Sequence, residues 1–146
     1  MTDHAVLEPL AELARLHRYS LLRYVRDAAP YSLDPAALET LAQMADMQEL
    51  AAERLETLIL DRDGPLPTGD FPVGFAAYHD LSLEYLLPLV QAHQESLIAR
   101  IHQVLPVLRS DPEAHAVVEE TLGEAIGHLE TLEELSGKQH QASVAK

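Results

Sequence analysis

The chain contains no cysteine, so disulfides, thiolate metal sites and thiol nucleophiles are excluded, and the redox character of its compartment stays open. Basic residues are scarce: 10 Lys and Arg stand against 24 Asp and Glu, for a net charge of −14. Such a field repels a phosphate backbone and disfavours nucleic acid as a partner. The acidic residues are spread along the helices rather than gathered in a tail, which reads as a solvated surface, with a funnel for metal cations as the alternative. No apolar run is long enough to cross a bilayer, and the opening MTDHAVLEPLAELAR is not a basic leader followed by an apolar core. The expectation is a soluble, cytoplasmic protein with no membrane partner. Phosphate-cradling loops are missing too, because Gly64, Gly69 and Gly74 are interrupted by prolines and no lysine follows. None of serines 20, 32, 82, 96, 110, 136 and 143 lies in a Gly-rich elbow or a base arrangement, so nucleophilic catalysis has no support.

What the chain has is helical periodicity. At 146 residues it is one domain by length, and residues 1–137 are expected to form it, with 138–146 a flexible tail. Its most apolar stretch, Phe75 to Arg109, predicts one long helix. The first half, with Leu81, Leu83, Tyr85, Leu86, Leu87, Leu89 and Val90, is apolar nearly all round and must be covered on more than one side. Beyond it a stripe of Leu86, Val90, His93, Leu97, Ile101, Val104 and Leu108 is expected to face inward. Pro88 and Pro106 each remove a backbone hydrogen bond, predicting a kink near Glu84 to Pro88 and a bend or early end near Pro106.

Three further helices follow the same logic. The first runs from about Asp3 to Ala28, with Leu10, Leu13, Ala14, His17, Ser20, Leu21 and Tyr24 inward and arginines 15, 18, 23 and 26 mostly outward, until Pro30 stops it. The second opens at Asp34-Pro35, an N-cap acceptor followed by a first-turn proline, and its stripe is Leu38, Leu41, Ala45, Gln48, Ala52, Leu55 and Ile59. It ends near Asp61. RDGPLPTGDFPVG, at 62–74, has three prolines and three glycines and no periodicity, so it reads as a loop long enough to travel the length of the molecule. The last helix opens at Asp111-Pro112, carries Val118, Leu122, Ala125, Leu129 and Leu132, and is expected to close at Gly137. Gly123 and Gly127, one turn apart on it, predict a closely approaching neighbour, or less simply a cofactor edge.

Two short hairpins joined by one long connection predict an all-α fold, a four-helix bundle with a long crossover between helices 2 and 3. At this point the chain resembles the ferritin-like superfamily, particularly rubrerythrin-like and uncharacterised bacterial members. The resembling residues are SLLRYVRDAAPYS at 20–32, RLETLILDRDGPLPTGDFP at 54–72, LSLEYLLPLV at 81–90 and LGEAIGHLETLEEL at 122–135. The resemblance covers most of the chain and implies fold and helix order rather than an activity. It also implies where a di-iron site would be: a glutamate on each of helices one and three and a Glu-x-x-His pair on each of helices two and four. That motif is absent, since no glutamate is followed three residues later by a histidine. Helix two offers Gln48, with Glu49 three residues before Ala52; helix four keeps His128 without its glutamate, at Ala125; helices one and three offer His17 or Arg18, and His93.

The candidate metal residues are therefore His17, Glu49, His93, Glu124 and His128. Two readings stand side by side. In one, His17, Gln48, His93 and His128 form a buried polar layer whose members hydrogen-bond one another, with Tyr24 joining them, and no cofactor is held. In the other, two or three imidazoles hold zinc or a single iron, with Glu49 or Glu124 as carboxylate. The pairs Glu124 with His128 and His115 with Glu119 are i, i+4 neighbours that more simply assist the helix. The expected role is a non-catalytic interaction, scaffold or sensor module, the alternative a rubrerythrin- or ferritin-type oxidoreductase or metal-handling protein. The surplus of apolar side chains on helix three predicts a homodimer through Leu83, Leu86, Leu87 and Val90, or else a crossover folded over that surface.

Overall fold

The computed structural model describes residues 4–144, and side chains up to residue 138. Among the described residues the chain is all-α, with five α-helices: α1 (His4–Arg18), α2 (Leu21–Ala28), α3 (Pro35–Asp61), α4 (Leu83–Val104) and α5 (Pro112–Val144). Two 3₁₀ helices flank α4, at Val73–Tyr78 and Leu105–Ser110. The caps explain several boundaries. Asp34 Oδ1 accepts from the Ala36 and Ala37 amides at the start of α3, and Asp111 Oδ1 accepts from Ala114 N at 3.2 Å at the start of α5.

α1 and α2 pack on α3, α4 packs on α5, and α3 meets α5. Arginine forks mark these seams: Arg18 to Glu56 joins α1 to α3, Arg100 to Glu12 joins α4 to α1, and Arg62 joins the end of α3 to Asp111. Each fork is bidentate at 2.6–2.8 Å, the geometry in which a guanidinium holds a carboxylate most firmly. These pairs fix how each helix lies along its neighbour, while the apolar side chains supply most of the stabilisation.

The apolar interior is divided in two. One core gathers residues such as Leu10, Leu13, Leu55, Ile59, Ile101 and Leu108; the other gathers Leu21, Leu22, Leu41, Leu83, Leu86, Leu87 and Leu132. Between them lies a buried polar layer containing His17, Gln48, Gln94, Thr121 and His128.

Several expectations are corrected. The first predicted helix is two helices, because Tyr19 and Ser20 leave the helical path. Ser20 takes an extended conformation (φ −72°, ψ 156°) and caps α2 by accepting from Arg23 N at 3.2 Å. Arg23, expected on an outer face, is buried, and its Nη1 donates to the Arg18 carbonyl that the break leaves without a helical donor. The long third helix starts at Leu83 rather than Phe75. The residues before it form a 3₁₀ turn that lays Phe75 on the lower half of α4, and the helix passes to 3₁₀ at Leu105, next to Pro106. Within α4 the inward stripe runs Leu86, Val90, Gln94, Leu97, so Gln94 is buried and His93 is exposed. α5 does not close at Gly137 but continues to Val144, through much of the segment expected to be a tail.

The predicted dimer surface is closed within the chain. Leu83, Leu86, Leu87 and Val90 are each at most 1% exposed, in the core that also holds Phe75, with Phe71 and Tyr78 packed against it. The crossover covers these leucines, the alternative that the sequence offered. Edge-on ring contacts of Phe71 with Tyr19 at 5.6 Å and Tyr24 at 5.4 Å hold it there. No helix among the described residues is long and apolar enough to cross a membrane.

The two glycines of α5 have no close neighbour either: a Cβ at Gly123 or Gly127 meets nothing within 4 Å. Gly64 is the tight one, where a Cβ lies 2.7 Å from Leu7 Cδ2 and 2.9 Å from Ile59 Cγ2. Gly123→Ala and Gly127→Ala should therefore each stabilise by about 0.5–1 kcal/mol, raising the unfolding midpoint by roughly 1–4 °C apiece. Gly64→Ala should lower it, and calorimetry on the three variants separates these outcomes.

Candidate functional site

The polar layer is built around a relay of hydrogen bonds that crosses the interior. The Arg23 amide donates to Ser20 Oγ, which donates to Gln48 Oε1 at 2.6 Å. Gln48 Nε2 donates to Gln94 Oε1 at 2.9 Å, and Gln94 Nε2 donates to the Ala125 carbonyl at 3.0 Å. Four helices are thereby joined: the first turn of α2, then α3, α4 and α5. The local sequence makes this possible at both ends. The break after α1 frees the Ser20 hydroxyl to face inward, and the four-residue steps of α4 bring Gln94 to the interior.

On one side of the relay is a void of about 10 Å³, lined by His17, Gln48, Ala51, Thr121, Glu124, Ala125 and His128. That is the lower limit for one water molecule. His17 Nδ1 donates to the Leu13 carbonyl at 2.7 Å, which leaves Nε2 as the nitrogen with a free lone pair when the ring is neutral. Burial pushes the His17 imidazole down to about 4, with Arg54 and His128 nearby adding to the effect against the Leu13 hydrogen bond. His128 is also lowered by burial, partly opposed by Glu124, and among the described residues neither of its ring nitrogens has a hydrogen-bond partner. Glu124 is held from outside the void by the Arg54 guanidinium. Thr121 Oγ1 donates to the Val118 carbonyl and so has no proton to offer the void.

On the other side is a larger cavity of about 180 Å³. Its walls come from α1 and the break (Leu16, Tyr19, Ser20), α2 (Leu21, Leu22), the crossover (Pro72, Phe75) and α4 (Val90, His93, Gln94, Ser96, Leu97). Gln94 and Ser20 face this cavity while Gln48 lines the small void, so the relay separates the two.

The structure divides the five predicted metal residues. His17, Glu124 and His128 come together at the small void. His93 lies on the rim of the larger cavity, its ring edge-on to Phe75 at 5.3 Å and its proton affinity lowered by partial desolvation. Glu49 faces α2, with its carboxylate 3.3 Å from Arg23 Nη2 and 3.5 Å from Arg26 Nη1. Tyr24, offered as a further member of the layer, packs instead on Phe71 and Phe75. His115 and Glu119 form a 3.4 Å surface pair. Among the described residues no three His, Asp or Glu side chains are grouped as metal ligands would be.

These residues do not fit a di-iron centre. Gln48 and Gln94 occupy the inward positions of α3 and α4 and are bonded to each other, and the carboxylate at the void is neutralised by Arg54. Sequence reasoning missed Gln94 and Thr121. The signal was present in α5, whose buried residues Ala114, Val118, Thr121, Ala125, His128, Leu132 and Leu135 alternate steps of four and three without exception.

Two predictions follow from the layer. A histidine whose folded pKa lies below its unfolded value leaves stability intact above about pH 6.5 and removes it as pH falls toward the folded value. With His17 at about 4, its titration should remove about 2 kcal/mol between pH 7.5 and pH 5. Urea unfolding of the wild type and of His17→Leu should show this slope reduced in the variant. Separately, Gln48→Ala should cost about 2–3 kcal/mol by stranding Ser20 Oγ and Gln94 Oε1. The pair Gln48→Met with Gln94→Met should cost less than the sum of its two singles, as a double-mutant cycle measures.

No protein-family model matches the chain, and no curated protein matches it significantly.

Proposed function

We propose that the chain is a ferritin-like four-helix bundle, α1 and α2 together serving as its first helix, that has no di-iron chemistry and works as a non-catalytic sensor-type binding module. The observation that carries this reading is the amide relay: at mid-height, where carboxylates would bridge two cations, Ser20, Gln48 and Gln94 satisfy one another and end on a backbone carbonyl. Neutral amides already engaged with one another bring no negative charge to offset two cations, as the bridging carboxylates of a di-iron centre would. The order of the helices supports the bundle, with a short link at 29–34, a long crossover at 62–82 and a 3₁₀ link at 105–111. The 180 Å³ cavity beside the relay supports a binding role, since it is mostly apolar and reaches the surface at Leu16, His93 and Ser96.

A second reading, metal handling, draws on one specific observation. His128 is 7% exposed with both ring nitrogens unpartnered, and it shares a void with His17. In that reading His17 and His128 hold a single zinc or iron ion, with Glu124 released from Arg54.

Elemental analysis of untagged protein, purified without chelators from cells supplied with iron, manganese and zinc, decides between them. Metal well below one per chain, unchanged after metals are added back, is the expected result. Stoichiometric metal that disappears in folded His17→Leu or His128→Leu protein overturns the binding-module reading in favour of metal handling.

A further inference from the structure

The larger cavity says what kind of molecule it takes. Its volume of about 180 Å³ exceeds the roughly 150 Å³ that accommodates benzene in an apolar protein cavity and falls well short of a nucleotide or a drug-sized ligand. Leu16, Leu21, Leu22, Val90, Leu97 and Phe75 supply an apolar interior. The floor is polar and largely engaged: Ser20 Oγ both accepts and donates within the relay, and Gln94 is bonded through its oxygen and through one of its two amide hydrogens. Further polar groups for a ligand are at the rim, where His93 and Ser96 stand three residues apart on one face of α4, and the phenol of Tyr19 also lines the cavity.

Charge narrows the choice further. Among the described residues no Lys, Arg, Asp or Glu lines the cavity, and the buried guanidinium of Arg23 is turned toward the Arg18 carbonyl and Glu49. An anion entering such a site exchanges its hydration for neutral partners with no positive charge among them, on a protein whose net charge is already −14. A cation finds no counter-charge in the walls.

We infer that this cavity binds a small neutral molecule of about one aromatic ring, apolar at its buried end and carrying one hydrogen-bonding group that meets His93 and Ser96 at the rim. The inference rests on the binding-module reading and gives it a ligand class. The relay forms the cavity floor, so a bound ring sits on the same hydrogen bonds that join α2, α3, α4 and α5. The crossover residues Pro72 and Phe75 form the opposite wall, and the ring contacts among Phe71, Tyr19 and Tyr24 keep that wall in place.

The test is a titration of the full chain with p-cresol, toluene and 4-methylbenzoate, followed by ligand-observed NMR and by the thermal midpoint. p-Cresol should bind best, toluene more weakly, and the carboxylate not at all. Because the chain has no tryptophan, Leu16→Trp at the cavity mouth is both a plug and a reporter. Its indole should emit as a buried ring, and p-cresol affinity should fall by at least roughly tenfold. His93→Leu with Ser96→Ala should abolish the preference for p-cresol over toluene and leave toluene binding in place. Absence of p-cresol and toluene binding to the folded wild type overturns the inference, and so does equal binding of 4-methylbenzoate. The rim variant decides the matter where Leu16→Trp does not fold, since an unchanged p-cresol preference there overturns it. Titrating metal-stripped protein keeps this result apart from the functional reading. Stoichiometric metal on the purified chain would sink that reading without touching the cavity, whereas an empty cavity would sink the inference and leave the metal-free bundle standing.

Discussion

Everything at mid-height in this molecule depends on one constraint: amides and hydroxyls buried between two apolar cores must find partners among themselves. An unpaired buried polar group costs about 1–3 kcal/mol, comparable to the margin that a single mutation removes from a domain of this size. The relay from Arg23 N through Ser20, Gln48 and Gln94 to the Ala125 carbonyl meets the constraint with four bonds across four helices. Its geometry then dictates other features. A continuous first helix would tie up the backbone that Ser20 caps, so the chain breaks after Arg18. The break exposes a carbonyl, and Arg23 turns inward to cover it. Shifting α4 by one residue would replace Gln94 with His93 or Glu95 and leave Gln48 facing a group of the wrong shape or charge. A relay of this kind fixes register in a way that interchangeable leucines do not.

Electrostatics work around the same layer. Arg18, Arg62 and Arg100 are placed at helix seams, where forks to Glu56, Asp111 and Glu12 hold neighbouring helices in alignment. These forks hold their guanidinium groups more basic than usual and draw Glu12 and Asp111 below the ordinary carboxylate range. The interior obeys the opposite rule. There the imidazoles of His17 and His128 are pushed toward the neutral form, because burial takes the charged form out of water and Glu124 opposes this only in part at His128. An acidic exterior and a neutral polar interior thus coexist, separated by little more than the side chains of Arg54 and Glu124.

Helical periodicity made most of the fold legible, and the errors have a common source. The caps at Asp34-Pro35 and Asp111-Pro112 were read correctly because their chemistry is local: a side-chain acceptor and a proline suffice. The α3 stripe was also correct, since Gln48 lies among alanines and leucines whose spacing leaves no alternative. In α4 both His93 and Gln94 satisfy a three-or-four step from Val90, and only the partner across the interior decides between them. That partner is Gln48 on another helix, invisible to a local pattern. The start of α4 was misplaced for the same reason: Phe75 and Tyr78 are apolar because they cover the helix, and the sequence cannot distinguish a helix from its own cover. The surplus of leucines that suggested a second copy of the chain is absorbed by that cover. Ser20 was placed inward, yet the break beside it went unread, because serine at an inward position is compatible with a helix interior as well as with a cap. Gly123 and Gly127 suggested a packed neighbour by their cost, and the structure gives them none.

The relay bears on function through what it does to the space on either side. Had the layer been filled by leucines, the two cores would have merged, with no reason for a void at His128 or a cavity at Phe75. A polar layer resists that collapse, because closing either space means displacing side chains whose hydrogen bonds cannot be remade elsewhere. The small void and the larger cavity are therefore two consequences of one design, and they differ in what they can use. The void offers lone pairs of neutral imidazoles at the scale of a single atom; the cavity offers apolar surface at the scale of a ring. Between them, Gln94 has one amide edge toward Gln48 and the other toward Ala125, so any rotation of that amide to meet a ligand group must break a bond to α3 or to α5. In the proposed binding module a bound ring therefore rests on a floor whose interhelical hydrogen bonds stay made, and occupancy of the cavity adds contacts from α2, α4 and the crossover to that same floor.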